Sequence, residues 1–319
     1  MQRIIIDTDP GVDDAVAIWL ALASPELEVL GITAVAGNVP LADVCRNAGR
    51  IVAMANRPDV PVFAGAQGPI VGPQRFGKYV RIGAFSPQII GEQSVEIAAQ
   101  HAVSFIVEQA REAARRQQPI TLCAIGPLTN IALALIHSPE VAAGIEKIVI
   151  MGGAFTALGH RTPWAEFNFY ADPHAAARVF ASGIPLVIMP LDLTFQALLT
   201  RQHLTLLAGQ AGEPGRAIQR LFNAFDRSDP ARLQREGGPV HDATVIAYLL
   251  APQLFSGVEV TVGIETQGET QGYCWADFYH KLGLAANATV MRQIDEPAFH
   301  ALLLRVLASY GAHQRSGGE

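Results

Sequence analysis

Four carboxylates lie close together near the start of the chain, directly after an apolar stretch. They belong to Asp7, Asp9, Asp13 and Asp14. Like charges at this spacing repel one another unless a cation holds them, and a hard divalent ion with oxygen ligands suits carboxylates best. One or two acids at the start of a helix commonly cap its free amides, so capping alone does not explain four. The spacing therefore predicts a metal site.

The predicted elements around these acids place them at one edge of a sheet. Ile4-Ile5-Ile6 predicts a short buried strand, and Pro10-Gly11 predicts the turn that ends it. The run that begins at Asp13 predicts a helix with acids at its positive N-terminal end. Open α/β sheets bind their ligands beyond the carboxyl ends of the strands, which is where this turn would lie.

Two further polar segments could meet the acids at the same edge. Glu166 and Asn168 alternate with phenylalanines, and on an extended chain both would point to one side, where they could bond sugar hydroxyls or simply form a polar loop. Asp172, six residues beyond Glu166, is interpreted as the cap of the next helix. His241-Asp242 precedes another predicted helix. Asp242 could be a metal ligand or a cap, and His241 a proton donor or a structural residue.

Strands and helices alternate along most of the 319 residues. This pattern predicts a single α/β domain over 1–312, with an open, mostly parallel, mixed sheet, a Rossmann-like core, helices on both faces and the site at the carboxyl ends of the strands. Residues 65–92 and 154–172 are predicted as loops, and 94–117 as an amphipathic helix. The tail at 313–319 is predicted to be disordered.

Composition excludes several classes of partner. The net charge is −6 and no long basic run exists, so nucleic acid is not an expected partner. No apolar run reaches the roughly 20 residues that a membrane span needs, and no signal peptide is visible. The three cysteines, Cys45, Cys123 and Cys274, have no paired or metal-type spacing. This usage is typical of a reducing compartment, and we expect the cytoplasm.

Taken together, the motifs resemble those of the calcium-dependent nucleoside hydrolases, the inosine-uridine-preferring family. The resemblance implies hydrolysis of the N-glycosidic bond of ribonucleosides to ribose and free base, a role in nucleoside catabolism and salvage, and a homodimer or homotetramer. The matching segments are, in order, Asp7-Thr-Asp-Pro-Gly-Val-Asp-Asp-Ala, Ala36-Gly37-Asn38, Gly126-Pro-Leu-Thr-Asn-Ile-Ala, Met151-Gly-Gly-Ala, Ala165-Glu-Phe-Asn-Phe-Tyr-Ala-Asp-Pro and His241-Asp242.

The resemblance also implies a role for each motif residue. Calcium would be bound by the carboxylates of Asp9, Asp14 and Asp242 and by the backbone carbonyl of Ile125. Asp9 would also be the general base for a calcium-bound water, and the ribosyl transition state would resemble an oxocarbenium ion. His241 would protonate or stabilise the departing base. The residues that would hold the sugar are Asp13, Asn38, Met151 through its backbone, His160, Glu166 and Asn168.

The chain departs from the family pattern at the 5′-hydroxyl of the ribose and around the leaving base. His160 stands where members commonly have an asparagine that contacts the 5′-hydroxyl, and Phe76-Gly77 stands where a His-Gly pair is usual. The segment before His241, where several members place a tyrosine, contains none; Arg232 or Arg235 could substitute. The sequence therefore leaves the preferred base open.

Two other functions remain compatible with part of the pattern. A calcium-dependent nucleoside- or sugar-binding protein without catalysis would have the same ribose site. A magnesium-dependent phosphohydrolase of the haloacid-dehalogenase type also begins with an apolar strand and Asp-x-Asp. That chemistry needs an acidic pair after a later strand, whereas the strand predicted at 145–151 ends in Met-Gly-Gly.

Overall fold

The computed structural model describes residues 1–78 and 80–316. Its strands coincide with the short apolar, β-branched runs of the sequence, because such runs fit a pleated surface that is covered on both faces. The strands are β1 Gln2–Thr8, β2 Leu27–Ala34, β3 Val62–Ala64, β4 Ile97–Ala98, β5 Ile120–Ala124, β6 Ile145–Met151, β7 Leu186–Met189, β8 Leu198–Leu199, β9 Gly238–Pro239, β10 Phe255–Val260, β11 Val262–Ile264, β12 Cys274–Ala276 and β13 Ala288–Ile294.

The helices follow the strands in the alternation that the sequence predicts. They are α1 Val12–Ala23, α2 Leu41–Met54, α3 Pro87–Ile90, α4 Ala102–Arg116, α5 Thr129–His137, α6 Phe167–Ala171, α7 Pro173–Phe180, α8 Leu191–Thr194, α9 Arg201–Gln210, α10 Gly212–Ala224, α11 Pro230–Leu233, α12 Ala243–Leu250, α13 Glu296–Leu307 and α14 Ser309–Ser316.

A nine-stranded sheet has the order β10-β13-β7-β6-β5-β1-β2-β3-β4. Among its described strands, β10 runs antiparallel to β13, while every other neighbouring pair is parallel. The predicted open, mostly parallel, mixed sheet is thus confirmed. Since β1, β5 and β6 are neighbours that run in the same direction, the residues that follow them meet at one edge.

Two apolar cores cover the two faces of this sheet. One contains residues of α1, α2, α10, α12 and α13, and the other contains residues of α4, α5 and α7. Helix α1 is buried along nearly its whole length, and its Trp19 has no exposed surface and donates its indole N–H to the carbonyl of Ile51 at 3.0 Å. The core thus fixes the helix that carries Asp13 and Asp14.

Three sequence-based boundaries are wrong in part. The helix predicted over 94–117 begins at Ala102, because Ile97–Ala98 pairs with β3 and the His101 ring accepts the amide of Val103 as a cap. The predicted loops at 65–92 and 154–172 contain the short helices α3 and α6. Short local turns of this kind leave little periodic signal in a sequence.

The described residues bear on two predictions, one about the tail of the chain and one about membrane-spanning segments. Helix α14 extends to Ser316, and residues 317–319 of the predicted disordered tail lie outside the described part of the chain. The domain boundary at residue 312 stays a prediction. No described helix combines the length and the apolar character that a membrane crossing requires.

We expect Trp19→Ala to destabilise the fold by about 3–5 kcal/mol, because it removes a fully buried indole and leaves a cavity. Trp19→Phe is the matched control: it keeps most of the ring volume and should cost less, chiefly through the lost hydrogen bond to Ile51. Urea unfolding followed by circular dichroism measures both variants. Equal stability of Trp19→Ala and the unmodified protein would contradict this account of the core.

Candidate active site

A cavity of about 300 Å³ lies at the carboxyl ends of the central strands. Asp9 follows β1, Ile125 follows β5 and Met151 ends β6. The structure brings every sequence-predicted site residue to the wall of this cavity. These are Asp9, Asp13, Asp14, Asn38, Ile125, Met151, His160, Glu166, Asn168, His241 and Asp242.

The floor of the cavity is an acidic cluster. Asp13, Asp14 and Asp242 are all buried, and each offers a carboxylate oxygen within 4.8 Å of the other two. Asp9 lies beside them; its Oδ2 accepts the amide of Asn38 at 2.6 Å, while its buried Oδ1 has no hydrogen-bond partner in the described structure. A buried carboxylate oxygen without a partner is costly unless a ligand satisfies it.

Burial and mutual repulsion raise the pKa values of these acids. Burial is the largest cause for Asp9, Asp14 and Asp242, and the negative charge of neighbouring aspartates adds to it. The pKa of Asp14 rises from 3.8 to about 6, and those of Asp9 and Asp242 rise well above 3.8. The cluster therefore cannot keep all its charges near neutral pH without a cation.

The residues present fit a hard divalent cation. The donors are carboxylate oxygens and the nearby carbonyl of Ile125, which are the ligands such ions prefer. Glycine is required next to Asp9, since a Cβ at Gly37 would clash with Oδ2 and a Cβ at Gly126 would lie 2.8 Å from Oδ1. The geometric cluster contains Asp13 in addition to the predicted ligands Asp14 and Asp242, whereas Asp9 lies outside it.

Local hydrogen bonds orient the acids before any ligand binds. Asp14 accepts the hydroxyl of Thr8 at 2.6 Å with one oxygen and the amide of Gly11 at 2.8 Å with the other. Asn38 donates its side-chain amide to the carbonyl of Asp9 at 3.1 Å. The turn after β1 is thus braced on both sides, and the carboxylates are held in place by backbone and side-chain donors.

The segment with Glu166 and Asn168 is helical, so the prediction that these side chains alternate on an extended chain is wrong. Glu166 caps α6 and accepts the amides of Asn168 at 2.8 Å and Gly153 at 3.1 Å. Asn168 donates its side-chain amide to the carbonyls of Met151 at 2.9 Å and Ile125 at 3.2 Å. Both side chains still reach the cavity, because the cap and first turn of α6 face the strand ends.

Aromatic and imidazole rings line the opposite wall. The ring of His241 lies edge-on to those of His160 and Phe195, and its Nδ1 is 2.7 Å from the hydroxyl of Thr194. Burial, followed by the charges of Arg227, His160 and Arg232, lowers the pKa of His241 well below 6.5. The imidazole is therefore neutral at pH 7 and can donate at most one hydrogen bond.

His160, at the position of the family's usual asparagine, lies on the same side as Glu166. Its Nε2 accepts the amide of Phe167 at 3.1 Å and is 3.6 Å from Glu166 Oε1. Asp172, interpreted from the sequence as a helix cap, does accept the amide of Ala175 at 3.0 Å at the start of α7.

Sequence reasoning missed two residues of this wall and misplaced a third. Arg227 forms an ion pair with Asp13 at 2.8 Å, and Phe195 lies beneath the guanidinium of Arg232 at 4.6 Å from the ring centroid. Arg235 is not part of the cavity wall and pairs instead with Glu296 at 2.9 Å. The high charge of the segment before His241 was a signal for Arg227; nothing local singles out Phe195.

The chain matches a family of known proteins over nearly its whole length. The model of the family "Inosine-uridine preferring nucleoside hydrolase" matches residues 4–301. The chain belongs to this family. The family resemblance inferred from the motifs is thus confirmed, and the match spans the sheet and every residue of the acidic floor.

Similar curated and solved proteins agree with the family. The pyrimidine-specific ribonucleoside hydrolase RihA of Klebsiella pneumoniae is 41% identical over 96% of this chain and 98% of its own length. An uncharacterised protein of Schizosaccharomyces pombe is 41% identical over 96% of this chain and 99% of its own. The solved purine-preferring ribonucleoside hydrolase of Gardnerella vaginalis superposes with a TM-score of 0.84 at 28% identity, over 97% of this chain and 99% of that one.

Nucleoside hydrolases cleave the N-glycosidic bond of ribonucleosides with the help of a metal ion, so this member is an N-glycosyl hydrolase with a nucleoside substrate. The haloacid-dehalogenase alternative is excluded by the family match, and the named relatives are enzymes rather than binding proteins without catalysis.

We expect calcium to stabilise the protein, and more so at pH 7.5 than at pH 4.5. The floor acids have folded-state pKa values raised above the unfolded value near 3.8, so stability is fully present at acidic pH and falls as pH rises through about 6. Burial and the negative charge of Asp13 therefore make ionised Asp14 destabilise the folded state at neutral pH. A bound divalent ion offsets this cost.

Thermal unfolding with EDTA or with calcium at the two pH values measures this difference. Sodium chloride at matched ionic strength is the control for general screening. A calcium-induced rise in Tm that is the same at both pH values, or absent at pH 7.5, would contradict a cation site in the acidic floor.

Proposed function

We propose that this protein hydrolyses pyrimidine ribonucleosides to ribose and free base, with calcium held in the acidic floor. The observation that carries the proposal is the unpartnered Oδ1 of Asp9 beside Asp13, Asp14 and Asp242, in a cavity lined by further sugar-compatible polar groups. The base preference is supported by the 41% identity to pyrimidine-specific RihA, which exceeds the 28% identity to the purine-preferring enzyme.

The carboxylates of Asp9, Asp14 and Asp242 and the carbonyl of Ile125 would hold the ion. When bound, it would supply positive charge that offsets the repulsion among the acids and lowers the pKa of a nearby water. Calcium accepts six to eight oxygen ligands, so a set of four leaves positions for water and sugar hydroxyls. The second lone pair of the Ile125 carbonyl is left for this purpose, since the first accepts Asn168.

Asp9 acts as the general base. The bond from the Asn38 amide fixes its Oδ2, which leaves Oδ1 to accept a proton from the attacking water. As the bond to the base stretches, the ribose ring gains positive charge in an oxocarbenium-like transition state. The buried carboxylates around the sugar stabilise that charge in a site of low dielectric.

The remaining predicted residues bind the ribose and the base. Sugar hydroxyls are bound by Asp13, Asn38, the Met151 backbone, His160, Glu166 and Asn168. The His160–Glu166 pair, with Nε2 and Oε1 at 3.6 Å, would lie at the 5′-hydroxyl, where the family has an asparagine. His241, neutral and anchored to Thr194, donates a hydrogen bond to the departing base rather than acting as a charged acid.

The oligomeric state, the compartment, the metabolic role and the domain boundary stay predictions. The protein is proposed to form a homodimer or homotetramer and to work in the cytoplasm, on nucleosides released in catabolism and salvage. Its single domain is proposed to end near residue 312.

We expect Asp9→Asn to lower kcat for uridine by about 10²–10⁴-fold, because the amide cannot accept the proton of the water. Release of reducing sugar measures the rate, and circular dichroism confirms folding. Asp59→Asn is the matched control, since Asp59 is an aspartate outside the cavity that pairs with Arg57. Unchanged activity of Asp9→Asn would refute the assignment of the base.

A panel of uridine, cytidine, inosine and guanosine tests the base preference. We expect kcat/KM for the better pyrimidine to exceed that for the better purine by about tenfold or more, a difference within the usual range of pocket discrimination. Values that are equal, or higher for purines, would overturn the pyrimidine assignment while leaving ribonucleoside hydrolysis intact.

A further inference from the structure

Arg227 brings a positive charge into the inner part of the cavity. Its side chain is only 14% exposed, its Nη2 is 2.8 Å from Asp13 Oδ2, and its Nε donates to the carbonyl of Pro239 at 3.1 Å. These two bonds hold the guanidinium in one orientation without any ligand. Arg227 also lines the cavity, so its guanidinium is accessible to a bound molecule.

The partner of Arg227 places the charge near the reacting bond. Asp13 is a proposed sugar ligand, so a cation 2.8 Å from its carboxylate lies beside the bound ribose. A largely buried ion pair of this kind adds little to fold stability, because its desolvation offsets the attraction. Its position in a ligand cavity therefore indicates a role in binding or chemistry.

The leaving base gains negative charge that such a cation can stabilise. When the glycosidic bond of a pyrimidine nucleoside breaks, the ring nitrogen keeps the electron pair and the charge spreads onto the ring oxygens. A guanidinium presents planar, charged N–H donors that match such oxygens and remains protonated at every working pH. The segment that carries Arg227 contains no tyrosine to serve in its place.

We propose that Arg227 stabilises the departing base as an anion, an inference that rests on the proposed function. The bond between C1′ and the base nitrogen breaks, and its electron pair moves to the base, whose oxygen accepts from the guanidinium. Water forms the new C1′–O bond and gives its proton to Asp9. The base then takes a proton from solvent as it leaves, and Asp9 returns its proton to solvent, so charge and atoms balance.

Arg232 and Arg235 have different roles in the same segment. Arg232 lies over the ring of Phe195 and donates to the carbonyls of Leu158 and Gly159, so it ties its own segment to the loop before α6. Arg235 pairs with Glu296 of α13 outside the cavity. It is therefore a matched control for removal of a nearby positive charge.

The experiment compares two substrates that differ in how much help the leaving group needs. Uridine has a poor leaving group, whereas 4-nitrophenyl β-D-ribofuranoside releases a stable phenolate without assistance. We expect Arg227→Met to lower kcat for uridine by about 10²–10³-fold, the usual loss of one charge-stabilising donor, and to change kcat for the aryl riboside by less than about fivefold. Arg227→Lys should recover part of the uridine activity, and Arg235→Met should match the unmodified protein on both substrates.

A series of aryl ribosides gives a measurement that would not change if Arg227 had only a structural role. In Arg227→Met, kcat should depend more steeply on the pKa of the leaving phenol than in the unmodified protein. The calcium-induced rise in Tm confirms that the floor is intact, and Arg227→Lys serves where Arg227→Met does not fold.

Each result decides a different claim. Equal losses on uridine and the aryl riboside would show that Arg227 only positions Asp13, and undiminished uridine hydrolysis would show that it has no role; either result overturns the inference. Failure of the unmodified protein to release ribose from any ribonucleoside or aryl riboside would instead overturn the proposed function.

Discussion

The repulsion among four buried aspartates at the end of β1 is the constraint on which the site depends. Asp9, Asp13, Asp14 and Asp242 are removed from water by the same core that stabilises the fold, so their charges are not screened. A divalent cation relieves this cost and gives the cavity its affinity for oxygen-rich ligands. Folding and ligand binding are thereby linked, because a cation that binds the folded site offsets the repulsion that ionisation of these buried acids creates.

The parallel sheet brings separate sequence motifs together in one wall of the cavity. Neighbouring parallel strands end at the same edge, so Asp9 comes together with Ile125 and Met151, which lie more than a hundred residues further along the chain. Asn168 then bonds the carbonyls of Ile125 and Met151 across that edge. This bridge fixes the spacing of two strand ends, which is the spacing that the sugar and the ion must share.

The cavity has opposite charges on its two sides. The floor carries aspartates that suit a ribose gaining positive charge, and the wall facing it carries Arg227 and Arg232, which suit a base gaining negative charge. In the proposed reaction the glycosidic bond separates charge in this sense as it breaks, so fixed charges in both places would lower the barrier without reorganising.

The sequence by itself determined the alternation of strands and helices along the chain, the acidic turn after β1 and the family, because apolar runs, Pro-Gly turns and clustered carboxylates are local signals. It could not determine that Glu166 and Asn168 lie on a helical turn, nor that β4 replaces the start of a predicted helix, because long-range pairing decides such short elements. Only the tertiary structure separated Arg227 and Arg232 from Arg235. Arginines in one charged segment look alike in a sequence, and what each one touches is set by chain packing.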